Sequence, residues 1–132
     1  MTRYLTGAEF WYLAELVTGI EASTLMRTSR IDLVESALHA PAAGHGSLDF
    51  YPDLHDKSAI LACRVAMNHS LYDGNKRVAW MCLAMFIDVN DGEWIPDLPD
   101  PEEVVEVLSR LVAHAVDEKW LAQWLRARVR FD

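Results

Sequence analysis

Residues 59–87 read AILACRVAMNHSLYDGNKRVAWMCLAMFI, which is two apolar runs separated by a polar link. The first run covers residues 59–67 and the second covers residues 78–87. A helix on the surface of a protein carries polar residues at a period of 3.6, and neither run shows them. We therefore predict two central helices, over residues 53–68 and 75–91, which are buried on all sides and joined by a short link.

Capping signals predict four further helices around this pair. A capping box begins at Thr6, and residues 29–32 (SRID) begin a second helix. Asp100 followed by Pro101 and two glutamates is the strongest helix start in the chain. A last helix is expected over residues 117–128. The chain is therefore predicted to be all-α, a bundle of about six helices.

One irregular stretch interrupts this helical pattern. Residues 41–51, PAAGHGSLDFY, contain proline and glycines that exclude a helix. Leu48, Phe50 and Tyr51 could form a short extended flap, and residues 93–99 form a second extended connection.

Composition limits the classes of function. A chain of 132 residues with 52% hydrophobic residues suits one domain over residues 1–132. The net charge of −8 argues against broad binding to nucleic acid, which requires clustered Lys and Arg. No signal peptide is visible, and the longest apolar run, at ten residues, is too short to span a bilayer. We expect a cytoplasmic protein that binds neither nucleic acid nor membrane.

The link between the two central helices has the features of a phosphate site. Gly74 allows the backbone to approach a ligand closely, and a helix beginning at Asn75 leaves backbone N–H groups without partners. Lys76 and Arg77 lie in the first helical turn, where positive side chains oppose the helix dipole. A bound anion would offset that cost, so the arrangement predicts a phosphate cradle.

Two further residues of the link add chemistry to this cradle. Asp73 is a carboxylate next to the phosphates, as a magnesium ligand would be. His69 can accept a proton near neutral pH. Together these groups indicate phosphoryl or nucleotidyl transfer. The alternative is a solvated loop with a histidine at a helix end. His45 and His55 could approach the site through the flap.

The stretch HSLYDGNKR, residues 69–77, resembles the signature of the Fic/Doc family, His-x-Phe-x-Asp/Glu-Gly-Asn-x-Arg. It is most similar to the Doc (death-on-curing) branch, in which Lys precedes the final Arg. LVESALHAP (33–41) and FYPDLHDKSAILA (50–62) also resemble Doc-like toxins. The resemblance covers roughly residues 4–92. It implies a single Fic/Doc domain, a compact helical fold with the motif between two central helices.

The resemblance also implies a role for each motif residue. His69 would be the general base that activates a target hydroxyl, and Asp73 would bind Mg²⁺. Gly74 and Asn75 would form the anion hole, and Arg77 would bind the phosphates of ATP.

Lys76 stands where Fic proteins that transfer AMP usually have Gly. Lys at this position goes with an inverted nucleotide whose γ-phosphate faces the histidine. The resemblance therefore implies a Doc-like protein kinase that phosphorylates a hydroxyl of elongation factor Tu and halts translation. The alternatives are AMP transfer to a protein hydroxyl and a Fic-fold binding module without catalysis.

Two features of the sequence concern how the protein would be inhibited and where it differs from the family signature. Self-inhibiting Fic proteins carry Ser/Thr-x-x-x-Glu, which this chain lacks. The resemblance therefore implies a separate small antitoxin whose tail lies in a groove of the toxin. Leu71 replaces the usual Phe that anchors the loop in the core, and Ser70 stands where Pro or Ile is common. Leu is apolar and can serve the same purpose.

Overall fold

The computed structural model describes residues 1–132 and contains seven α-helices with two small antiparallel sheets. We number helices and strands separately in chain order. The helices are α1 (Gly7–Thr18), α2 (Ala22–Thr28), α3 (Ile31–His39), α4 (Leu54–Met67), α5 (Asn75–Val89), α6 (Pro101–Val112) and α7 (Glu118–Arg126). The strands are β1 (Gly44–His45), β2 (Leu48–Asp49), β3 (Glu93–Trp94) and β4 (Val129–Arg130). The predicted all-α class is confirmed.

Helix α2 was not among the predicted helices. It has seven residues, and its N-cap residue, Glu21, makes no side-chain capping hydrogen bond. It is held instead by tertiary contacts: the Ala22 N–H donates to Glu15 Oε1 at 2.8 Å, and Leu25 is buried. A helix this short gains little from local propensity, so its sequence gives no strong signal.

The predicted helix starts are met to different degrees. The capping box at Thr6 forms, with Glu9 as its second member. Asp53 and Asp117 cap α4 and α7 through their side chains. Helix α6 begins at Pro101 as predicted, although the Asp100 side chain makes no capping hydrogen bond.

The two helices predicted to be central differ in burial. From Lys57 to Ala66, every residue of α4 except Arg64 is buried. Helix α5 buries one face, whereas Trp80, Met81 and their neighbours Ala84 and Met85 are only half-buried. The prediction of burial on all sides therefore describes α4 better than α5. A cluster of 31 buried residues from Leu5 to Val129 forms the core around them.

The predicted flap is a β-hairpin, in which β1 pairs with β2. It is fixed to the start of α4 by Lys57, which is buried. The Lys57 Nζ donates to the Pro41 carbonyl at 2.9 Å and lies 3.5 Å from Asp49 Oδ2. None of the helices has both the length and the apolar character needed to cross a membrane.

Candidate functional site

The segment between α4 and α5, residues 68–74, is here called the motif loop. With the first turn of α5 and one residue each of α4 and α6, it borders a cleft of about 210 Å³. The cleft is lined by Ala66, His69, Tyr72, Asp73, Gly74, Asn75, Lys76, Arg77 and Val112. The structure thus brings all six residues singled out in the sequence, His69, Asp73, Gly74, Asn75, Lys76 and Arg77, to one cleft.

The motif loop is anchored in the core through Leu71. Only 4% of the Leu71 surface is exposed, and its side chain belongs to the core cluster. The Asn75 side chain holds its backbone: the Leu71 N–H donates to Asn75 Oδ1 at 3.1 Å, and Asn75 Nδ2 donates to the Leu71 carbonyl at 3.0 Å. Leu71, although smaller than the usual Phe, therefore anchors the loop in the core. The two hydrogen bonds from the Asn75 side chain fix the backbone of the loop.

His69 lies at the exposed side of the loop in a left-handed backbone conformation, with φ of 49°. Residues other than glycine adopt this region at a cost, and such strain often occurs at functional sites. Hydrogen bonds on either side maintain it. Asn68 Nδ2 donates to the Leu33 carbonyl at 3.2 Å, and the Arg30 N–H donates to the Ser70 carbonyl at 2.8 Å. The imidazole is thereby presented to the cleft by a fixed backbone.

Gly74 forms the tightest point of the loop. Its φ is 86°, and a Cβ at this position would lie 3.3 Å from Thr18 Cγ2 and 3.5 Å from Val17 Cγ1 of α1. Both the backbone conformation and the close approach to α1 favour glycine.

The backbone amides that are open to an anion lie in the first turn of α5 and do not include that of Gly74. The Gly74 N–H donates to Asp73 Oδ1 at 2.8 Å, and the Asn75 side chain is occupied by Leu71. No protein atom accepts a hydrogen bond from the backbone N–H of Asn75, Lys76 or Arg77. These three amides at the N-terminus of α5 form the unpaired set that an anion could use.

The lysine and arginine side chains of the cleft form no ion pairs. Lys76 and Arg77 are exposed and form none of the ion pairs of the protein. One guanidinium nitrogen of Arg77 lies 3.7 Å from the position that a Gly74 Cβ would take, so this side chain folds back toward the loop. Two cations and three amide donors therefore face the same region, which suits a polyphosphate.

Asp73 is the carboxylate closest to these donors along the chain. One of its oxygens accepts from Gly74, and the other makes no hydrogen bond within the protein. No group of three or more His, Cys, Asp or Glu residues in the protein is arranged to hold a metal ion. A single carboxylate fits Mg²⁺ when water and phosphate oxygens complete its coordination, so the donor set suits a metal that arrives with a nucleotide.

A second, larger cavity adjoins the cleft, and the sequence analysis did not identify it. It has a volume of about 530 Å³ and is here called the apolar cavity. Its lining comprises Val17, Lys76, Arg77, Trp80, Met81, Leu98, Pro99, Pro101, Val104, Val105 and Leu108. Lys76 and Arg77 border both spaces, so the cations lie between the polar cleft and the apolar cavity. Trp80 and Met81, which lie one turn after Lys76 and Arg77 in α5, are the residues from which the sequence could have predicted this cavity.

Neither histidine suggested for the flap lies at the cleft. His55 Nε2 is 2.8 Å from the Val129 carbonyl, and its ring packs against Phe131. It is in the first turn of α4, about 18 Å along the helix axis from the motif loop. His45 is in β1 and is exposed. In contrast, Tyr72 lines the cleft and was not singled out in the sequence.

The sequence is similar to that of known proteins over most of its length. A model of the Fic/DOC family matches residues 5–87, a span that includes α4, the motif loop and most of α5. A curated protein named Toxin Doc, from Mycolicibacterium smegmatis (strain ATCC 700084 / mc(2)155), is 29% identical to this chain over 117 residues. The aligned residues cover 89% of this chain and 86% of that protein.

Proposed function

The chain belongs to the Fic/DOC family, and we propose that it is the toxin of a toxin–antitoxin pair. In this proposal it acts as a protein kinase that transfers the γ-phosphate of ATP to a hydroxyl of a protein target. The target we propose is elongation factor Tu. The similarity to a protein named Toxin Doc supports the choice of a toxin.

One observation carries the enzymatic part of the proposal. Lys76 and Arg77 border both the polar cleft of His69 and the apolar cavity of Trp80. ATP has the same division, with a polyphosphate at one end and an aromatic base at the other. A base in the apolar cavity would leave the phosphates on the two cations and direct the terminal phosphate toward His69. This orientation favours phosphate transfer over AMP transfer.

The apolar cavity is suited to a nucleoside in size and in chemistry. Its volume of about 530 Å³ is within the range of small-molecule sites. Trp80 is half-buried in its wall, and an indole face can stack on a base.

The proposed reaction begins at His69. Its imidazole accepts the proton of the target hydroxyl while the hydroxyl oxygen forms a bond to the γ-phosphorus. The bond from that phosphorus to the bridging oxygen breaks, and ADP leaves with the bonding electrons. A bound Mg²⁺, held by Asp73, would neutralise charge on the phosphate oxygens. The unpaired amides and both cations stabilise the charge on the transferred group, and catalysis of this kind depends mainly on positioning and electrostatics.

A partner is part of the proposal. A toxin of this kind must be restrained in the cell that makes it, and we propose a small antitoxin protein in that role. The antitoxin would be expected to block transfer when it is mixed with the toxin before ATP is added.

Labelled ATP tests the reaction. With purified elongation factor Tu, label should reach the target from the γ-position and not from the α-position. His69→Ala should remove transfer, since a positioned base contributes about 10²- to 10⁴-fold in rate. Lys76→Gly should weaken γ-transfer. Label that arrives only from the α-position would replace phosphate transfer with AMP transfer, and a His69→Ala variant of wild-type rate would exclude His69 as the base.

A further inference from the structure

Tyr72 is the most exposed large side chain of the motif loop. Its relative exposure is 99%, whereas Leu71 next to it is 4% exposed. An aromatic ring of this size buries about 150–250 Å² when it is covered, so a ring left entirely in water carries unused binding surface.

The backbone that carries Tyr72 is fixed. Asn75 holds both backbone polar groups of the preceding residue, and Asp73 Oδ1 accepts from the Gly74 N–H two residues further along. A ring with two rotatable side-chain bonds on a fixed backbone loses little conformational entropy when it is covered by a partner. For that reason exposed tyrosines on rigid supports are common among residues that dominate protein–protein binding.

The position of Tyr72 separates a protein partner from the nucleotide. Tyr72 lines the cleft of His69 but not the apolar cavity that would hold the base. A target hydroxyl has to reach His69 through that cleft, and it arrives on a protein surface that is wider than the cleft. The surface around the hydroxyl therefore has to meet Tyr72.

We propose that Tyr72 is a specificity-determining residue that docks into an apolar hollow beside the modified hydroxyl of the protein target. This inference rests on the proposed function, because it requires a protein substrate at the His69 cleft. The aromatic ring makes the contact, and the phenolic hydroxyl is not needed for it. Tyr72 does not take part in the transfer of phosphate.

Steady-state kinetics with γ-labelled ATP and purified elongation factor Tu test the inference. Tyr72→Ala should raise the KM for the target about tenfold, while kcat at saturating target and the affinity for ATP stay within about twofold. Tyr72→Phe should keep the wild-type KM because it retains the ring. Tyr12→Ala is the matched control: Tyr12 is an α1 residue with 57% exposure that does not border the cleft, and its removal should change neither KM nor kcat.

Several results would overturn the inference. They are an unchanged KM in Tyr72→Ala, a KM in Tyr72→Phe as high as in Tyr72→Ala, or an equal loss of ATP affinity. Phosphate found on Tyr72 itself would identify it as an acceptor instead of a docking residue. If the wild-type protein transfers no γ-label to elongation factor Tu, the proposed function fails and the docking role fails with it. That outcome is distinguishable from failure of the docking role alone, because the wild-type protein and Tyr12→Ala would then show no transfer either.

Discussion

Two asparagines near opposite ends of α5 make a matched pair for testing the motif loop. Asn75 holds the backbone of Leu71 with hydrogen bonds of 3.1 and 3.0 Å. Asn90 holds the backbone of Arg3 with bonds of 2.8 and 2.9 Å, and also donates to the Phe86 carbonyl at 2.8 Å. Each asparagine therefore clamps a backbone segment, four residues away for Asn75 and 87 residues away for Asn90, and of the two only Asn75 borders the cleft.

We expect Asn75→Ala to lower the free energy of unfolding by about 2 kcal/mol, since two part-buried hydrogen bonds contribute about 1 kcal/mol each. Asn90→Ala should cost about 1 kcal/mol, because its bonds to Arg3 are exposed and water replaces them. With a urea dependence of about 2 kcal/mol per molar, the midpoint for Asn75→Ala should fall by about 1 M. Urea unfolding followed by Trp fluorescence measures both values.

Transfer of γ-phosphate should separate the two variants. Loss of the Leu71 clamp misplaces the motif loop, and a displacement of about 1 Å at a catalytic group can cost about 100-fold in rate. Asn75→Ala should therefore lose about 100-fold in transfer at a temperature where it is folded, while Asn90→Ala stays within about twofold. An equal loss in both variants would show that general destabilisation causes it. Full transfer by Asn75→Ala would refute the clamp as a support of the site.

Two further predictions concern groups away from the cleft. Burial raises the pKa of the Cys63 and Cys82 thiols to about 12, with nearby carboxylates adding to the effect at Cys63. Both should resist a thiol reagent at pH 8 in the folded protein and react on unfolding; rapid labelling without denaturant would contradict this. Burial raises the pKa of Asp53, but a backbone hydrogen bond and the ion pair with Arg126 outweigh it, so the pKa lies below the ordinary 3.8. The stabilisation is present above pH 3.8 and is lost as the pH falls through the lowered value. Asp53→Asn keeps a capping oxygen but cannot ionise, so its stability should fall less than that of the wild type as the pH is lowered. Thermal unfolding between pH 2 and pH 6 measures this difference.

The sequence was sufficient for the features that local chemistry controls. The lack of a polar face marked α4 and α5 as the central pair, and capping residues marked the starts of α1, α4 and α7. Within the nine residues from His69 to Arg77, a glycine, free helical amides and two cations predicted a phosphate site, and the resemblance of the stretch to the family signature indicated the Fic/DOC family.

Tertiary structure decided the features that depend on residues distant in the sequence. Helix α2 is held by Glu15 of α1, which accepts from its first N–H, and by the burial of Leu25, and no local signal reports these contacts. Asn75 is only four residues from Leu71, but the bend of the motif loop lets its side chain hold that backbone, while its own backbone N–H stays unpaired. The apolar cavity forms where Leu98 and Val105 line the same space as Trp80. A motif specifies which groups are present, whereas the packing of separate helices decides which of them stay unpaired and what space they enclose.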